Sequence, residues 1–251
     1  MRANDAGEGW GAGRGARWSS TVTARRTGVI VVLAASLAAC TPPPNPVFEA
    51  GSESALTSDG LQPVQHSGFR RGWIRQDAWA RGYDEILGHF VGIAYRSAPK
   101  QAAGSPPGRD NYALPDGMEG LLMASLEGIF VEELGKPKGL RLAGAAGPRV
   151  LLVRVVLMDL VVHVPLARVA DDDLIWIDSA GELTVAIELR DSVTDERLAR
   201  FLERDALARE GIGPIRGTPG PVGYEARRIF RRWARNLNGV IAAMQARDAA
   251  S

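Results

Sequence analysis

Residues 182–191 read Glu-Leu-Thr-Val-Ala-Ile-Glu-Leu-Arg-Asp, and their alternation carries most of the information about the fold. Leu183, Val185, Ile187 and Leu189 fall on one face of an extended chain, with Thr184, Glu188 and Arg190 on the other. A two-residue period of this kind marks a strand with one face in a core and the other toward water. Thr194-Asp195-Glu196 then turns the chain, and residues 197–206 are expected to return as the second strand of a hairpin.

Upstream, Val150–Val162 reads Val-Leu-Leu-Val-Arg-Val-Val-Leu-Met-Asp-Leu-Val-Val. Nearly continuous β-branched and leucine content predicts a central strand buried on both faces. Residues 116–134 carry Met118, Leu121, Leu122, Leu126, Ile129 and Phe130 at three- and four-residue steps, the period of a helix. Asp116 with Glu119 suggests a capping box at its start, and Gly135 a stop. Residues 83–95, with Ile86, Leu87, Phe90, Val91 and Ile93, predict a further strand. Downstream, residues 224–246 predict a second helix, whose stripe includes Ile229, Phe230, Trp233, Leu237 and Ile241. Residues 97–111 and 211–223 are Gly- and Pro-rich and are expected as loops. Residues 47–80 are polar, with Trp73, Ile74 and Trp79 as candidate anchors on the core. The expected fold class is therefore α+β, with a mixed or antiparallel sheet of about four strands and two main helices packed on one face.

The N-terminal part has a different character. Arg25-Arg26 precede a short apolar run, residues 28–39, and Leu37-Ala38-Ala39-Cys40 closes it. A basic region, an apolar region too short to span a bilayer and small residues before a cleavage point make a secretory signal. Leu37–Cys40 resembles the lipobox of bacterial lipoproteins. In that reading Leu37, Ala38 and Ala39 are recognised by the signal peptidase. The Cys40 thiol accepts a diacylglyceryl group and becomes the first residue of the mature chain. Residues 1–21 are unusually long for such a signal, and Val22 offers an alternative start. Thr41-Pro42-Pro43-Pro44-Asn45-Pro46 then predicts an extended tether. The expected organisation is a signal over 1–39, a lipidated cysteine and Pro-rich tether over 40–66, and one globular domain over 67–247. Thr41, rather than aspartate, after the cysteine points to the outer membrane more than the inner.

Charge excludes some function classes. The 251-residue chain has a formal net charge of +1, and the five arginines of residues 1–39 lie largely in the signal. The remainder is slightly acidic, so no nucleic-acid partner is expected. Cys40 is the only cysteine, and His66, His89 and His163 are widely spaced. No metal or other cofactor is therefore expected.

The motifs of common hydrolases and nucleotide-binding proteins are missing. Asp171-Asp172-Asp173 lacks the spacing of a calcium loop and reads as a solvated turn. Asp159 and His163 share a strand face if the strand continues, more simply as a structural pair than as an acid–base couple. The terminal helix sets Arg227, Arg228, Arg231, Arg232 and Arg235 opposite its apolar stripe. These five are candidate contacts for an anionic envelope component or partner, against the simpler reading of a solvated face paired with carboxylates. The expected function is a non-enzymatic, membrane-anchored lipoprotein of the bacterial envelope, facing the periplasm and binding a protein partner or envelope polymer. The alternative is a periplasmic hydrolase that draws on scattered acids such as Glu132, Glu133 and Asp159.

Several short stretches resemble a family of bacterial lipoproteins known only as a domain of unknown function. They are Ser67-Gly68-Phe69, Tyr83-Asp84-Glu85-Ile86, Pro148-Arg149-Val150 with Met158-Asp159-Leu160, and the hairpin from Glu188 to Leu198. Phe230, Trp233, Ala234 and Leu237 in the last helix belong to the same pattern, although Asp195 stands where such hairpins commonly carry glycine. The resemblance implies a periplasmic lipoprotein domain and supplies no catalytic residues.

Overall fold

The computed structural model describes residues 44–49, 56–78, 82–99, 111–136, 140–163, 166, 176–208 and 213–248. All belong to one unit, Thr41–Ser251. Met1–Cys40 lies outside the described residues, and with it the expected signal and lipobox.

Ten strands and two helices are present among the described residues. They are β1 (Val47–Phe48), β2 (Gln62–Gln65), β3 (Arg71–Ile74), β4 (Glu85–Tyr95), α1 (Met118–Leu134), β5 (Arg141–Leu142), β6 (Val150–Val162), β7 (Trp176–Ile177), β8 (Gly181–Asp191), β9 (Arg197–Ala206), β10 (Ile215–Arg216) and α2 (Pro219–Asp248). Eight strands form one sheet in the order β1-β2-β3-β9-β8-β6-β4-β5, and β10 pairs with β7 in a small second sheet. β4 runs parallel to both β5 and β6, and the other neighbours in the large sheet are antiparallel. This corrects the expected sheet of about four strands: the molecule is mostly sheet, with twice that number in the main one. The missed strands have two or four residues, too few to show a period. β2 carries Pro63 and β3 carries Gly72; the two pair with each other, and β3 is held in the sheet by the distant β9.

The alternation in β8 is realised as far as Leu189, while Arg190, expected toward water, is buried. Leu183, Val185, Ile187 and Leu189 are at most 1% exposed, while Thr184, Ala186 and Glu188 are partly exposed. β6 follows the same alternation, which corrects its expected burial on both faces. Leu151, Val153, Val155 and Leu157 are buried, but Leu152, Arg154, Val156 and Met158 are only half-buried. Both helices lie on the buried face. Phe130 of α1 meets Phe90 of β4 edge-on at 6.0 Å, and Trp233 Nε1 of α2 donates to Asp205 of β9 at 2.7 Å. Phe90 pairs with Val155, and Asp205 with Leu183, both side chains of that face.

The other face carries an ion-pair cluster among its apolar side chains. Glu188 Oε2 accepts from Arg190 Nε at 2.9 Å, and Glu188 Oε1 lies 2.9 Å from Arg197 Nε and 3.2 Å from Arg200 Nη2. Burial pushes the Glu188 carboxyl up, but the surrounding guanidiniums outweigh it and hold it below its ordinary value.

Near its end β6 contains a bulge. The register with β8 shifts between Met158 and Val161, and Asp159 takes up the extra residue at φ 53°. The shift breaks the alternation, so Leu160, Val161 and Val162 are all buried. At the β8–β9 turn Asp195 sits at φ 57°, the left-handed conformation that usually selects glycine and that aspartate tolerates. Asp191 Oδ1 organises this turn by accepting the Val193 and Thr194 amides, and Tyr83 donates its hydroxyl to Asp191 Oδ2 at 2.8 Å.

The helix ends also differ from expectation. α1 is capped by Gly117 without a side-chain hydrogen bond, so Asp116 and Glu119 form no capping box. Glu119 instead accepts the Tyr95 hydroxyl at 2.6 Å. Of the expected apolar stripe, Leu126, Ile129 and Phe130 are buried, but Leu121 is 68% exposed. α2 begins at Pro219, inside the segment expected as loop. Proline is tolerated there because amides of the first turn have no intrahelical acceptor.

One carboxylate under α2 bears on stability. Glu203 accepts the Arg70 amide at 2.6 Å. Its carboxyl is held above the ordinary range, chiefly by burial and also by the neighbouring Asp205, against the pull of the Arg70 amide. A raised folded-state pKa contributes stability at low pH that is lost as pH rises through the folded value. Glu203→Gln keeps the acceptor and removes the charge, so its thermal midpoint should exceed that of the parent at pH 7. The gain should vanish once the pH falls below the ordinary carboxylate range; a gain of equal size at both pH values would contradict this account.

Candidate functional site

The N-terminal halves of α1 and α2 diverge over the ends of β6 and β8 and leave a cleft between them. The inner part is a small pocket of about 40 Å³. Its floor is Leu160 and Val162 of β6, Leu183 of β8, and Leu207 just after β9. One wall is Met118 and Leu122 of α1 with Leu114, and the other is Pro219, Val222, Gly223 and Ala226 of α2. Leu166 completes the lining. The bulge at Asp159 helps to build this floor, because the changed parity turns Leu160 to the helix-covered side.

The pocket opens into a wider mouth of about 390 Å³ that shares Met118, Leu122, Pro219, Gly223 and Ala226 with it. Leu121, Ser125, Gly220 and Arg227 form the rim. The inner lining contains no titratable and no aromatic side chain. Polar chemistry enters only at the rim, through Ser125 and Arg227.

The five arginines proposed from the sequence do not form one basic patch. Arg228 Nε lies 2.8 Å from Glu225 Oε2, and its Nη2 donates to the Ala208 carbonyl at 3.3 Å. Arg232 pairs with Asp205, and Arg235 Nε lies 3.5 Å from Glu133 Oε1. Arg227 and Arg231 form no ion pair with any described residue, and only Arg227 reaches the cleft. Helical periodicity separates the charged residues from the apolar stripe, but it does not reveal which of them a neighbouring strand neutralises.

The scattered acids are not brought together. Glu132 and Glu133 lie at the C-terminal end of α1, and Glu133 pairs with Lys136. The N-terminal end of α1 touches the far end of β4 through the Tyr95–Glu119 bond, so α1 runs back along the sheet. Asp159 lies near that far end, close to where Tyr95 pairs with Leu160. The carboxylates of the hydrolase alternative therefore stand at opposite ends of the sheet. No hydrogen bond joins Asp159 to His163, whose amide donates to the Ala180 carbonyl at 2.8 Å. Among the described residues no group of three or more His, Cys, Asp or Glu side chains is placed to hold a metal ion. Asp171, Asp172 and Asp173 lie outside the described residues, as do Leu37, Ala38, Ala39 and Cys40. Among the described residues no helix is long and apolar enough to cross a membrane.

Sequence reasoning passed over the cleft because its lining reads as ordinary core. The visible trace was α1 itself, where apolar residues fall on more than one side and Leu121 has no inward-facing role.

Fold and cleft together define a mixed-sheet domain with two helices on one face and an apolar pocket where the helices part. No family model matches the chain, and no curated protein does. Among solved structures, the chain is similar to the PelC dodecamer from Paraburkholderia phytofirmans, with a TM-score of 0.31, 13% identity, and coverage of 62% of this chain and 88% of that one. A point variant of the PelC dodecamer from the same organism gives a TM-score of 0.31 and 9% identity over 62% of this chain and 87% of that one. Likeness at this level assigns no function.

Proposed function

We propose that this protein is a non-enzymatic lipoprotein of the bacterial envelope, held to the membrane through acyl chains on Cys40. Its domain faces the periplasm, on the outer membrane rather than the inner, and works by binding an envelope component in the cleft between α1 and α2. The observation that carries the binding reading is the chemistry of that cleft. Acid–base or nucleophilic catalysis needs a polar group within hydrogen-bond reach of the reacting atom. An inner lining made of Leu, Met, Val, Ala, Gly and Pro can desolvate and hold an apolar group but cannot move a proton to or from it. The anchoring half of the proposal is supported by Arg25-Arg26, the apolar run and Leu37–Cys40. Two acyl chains supply the paired signals that stable membrane attachment requires.

Two measurements test the two halves separately. Intact mass of the protein extracted from membranes should show cleavage before Cys40 plus the mass of the acyl groups. Cys40→Ser should accumulate as the uncleaved, unacylated precursor, and normal processing of that variant would refute the lipobox. For the binding half, the acylated protein is incubated with peptidoglycan, phosphoester, ester and peptide substrates. No turnover is expected, and turnover abolished by replacing one carboxylate without loss of folding would establish an enzyme instead.

A further inference from the structure

We propose that the ligand of the cleft is a long-chain carboxylate, a single alkyl chain lying along the mouth with its end in the inner pocket and its head group on Arg227. The proposal rests on the binding reading above and adds the chemical class of the ligand. Three features select that class.

The first is the lining. All of the inner side chains are aliphatic or thioether, and no aromatic ring offers a stacking surface. Such walls suit a flexible alkyl chain and give a planar ring no face to pair with. The inner pocket, about 40 Å³, takes only the end of a chain, and the mouth, about 390 Å³ and so within the roughly 300–1,000 Å³ of small-ligand pockets, takes the rest.

The second is the sign of the rim. Arg227 is exposed, has no acidic partner among the described residues, and lines the mouth directly above the pocket. The first turn of α2 holds no acidic residue. The positive end of the helix dipole therefore faces the same opening without a carboxylate to offset it. Glu225 is the nearby acid of that helix, but it is 1% exposed and paired with Arg228, so it does not cancel the charge at the mouth.

The third is the amount of charge. A single guanidinium offers a fork that matches one carboxylate, and one positive charge balances one negative charge. A phosphate monoester head would bring more charge than this rim neutralises. Leu121, 68% exposed beside the opening, provides an apolar surface for chain that extends past the pocket.

The test uses the full acylated protein in phosphatidylcholine nanodiscs. Three photoactivatable probes share one twelve-carbon tail bearing a diazirine and differ in the head: carboxylate, lysophosphatidate and trimethylammonium. Crosslinked peptides are mapped by mass spectrometry. The carboxylate probe should label the Met118–Ser125 and Pro219–Arg227 peptides at least tenfold more than the trimethylammonium probe. Arg227→Gln should bring those two probes close to parity while tail labelling persists. Gly220→Leu fills the mouth at a position with open space around its Cβ, and should cut labelling by every probe without lowering the unfolding midpoint.

Equal labelling by carboxylate and trimethylammonium heads in the unaltered protein would overturn the proposal. So would stronger labelling by lysophosphatidate than by carboxylate, or labelling that Gly220→Leu leaves unchanged. If none of the probes labels the cleft while a photoreactive residue at Leu121 captures another envelope component in cells, the carboxylate assignment falls and the binding reading stands. Turnover in the substrate panel would remove the binding reading itself.

Discussion

Replacing Trp233 with alanine should destabilise the protein by roughly 3–5 kcal/mol, the range for emptying a large aromatic from a closed core. Trp233 is fully buried at the middle of α2, and its ring lies 5.7 Å from that of Phe230. Two contributions combine. The apolar ring is lost and leaves a cavity between α2 and β9, and Asp205 loses the indole donor at 2.7 Å. Asp205 keeps its partner Arg232, so its charge is not left unpaired and the cavity dominates. Trp233→Phe separates the two effects: it retains most of the packing and removes the hydrogen bond, and should cost only about 1–3 kcal/mol. Urea denaturation gives both values, and an unchanged midpoint for Trp233→Ala would show that α2 is not docked as described.

Gly181→Ala should destabilise at or above the upper end of the roughly 1–3 kcal/mol typical of overpacking. Gly181 pairs with Val162 where β8 begins, and a Cβ there would fall 2.0 Å from the Val161 carbonyl oxygen. A flexible side chain can move aside from such a contact, but this obstacle is backbone in a buried stretch. β6 would have to move, and with it Leu160 and Val162, the floor of the cleft. Gly128→Ala is the matching control. Gly128 lies inside α1 with open space around its Cβ, so the substitution should stabilise by roughly 0.5–1 kcal/mol through helix propensity. Thermal unfolding of the two variants side by side tests the contrast, and a loss of stability for both would mean that α1 tolerates less than its open face suggests.

The legible part of the fold was the part with enough length to show a period. β8, β9, β4, α1 and α2 each run for ten residues or more; β9 was readable from the turn before it and the others from spacing. β6 was legible as a strand but not in its burial. Leu152, Val156 and Met158 are as apolar as the residues opposite them, so composition implied cover on both faces where the structure has helices on one. Only Arg154, paired across the sheet with Glu188, marked the other face in the sequence. β1, β2, β3, β5 and β10 escaped because two to four residues carry no usable pattern, and β3 and β5 close their ladders onto β9 and β4 over long separations. The arginines of α2 were found as a face, but their partners Asp205, Glu133 and Glu225 decide which of them keep free charge.

The sequence by itself determined the alternating hairpin strands and the presence of the two helices, and it alone carries the proposed lipobox at Leu37–Cys40. Each of these depends on residues a few positions apart, and local spacing records such relations. The tertiary structure alone decided the number of strands, the covered face of β6, the left-handed bulge at Asp159, the backbone contact at Gly181 and the cleft. Each of these depends on where distant segments meet. The cleft in particular is space left where α1 and α2 part over β6 and β8, and a void is a property of packed surfaces, with no residue pattern of its own.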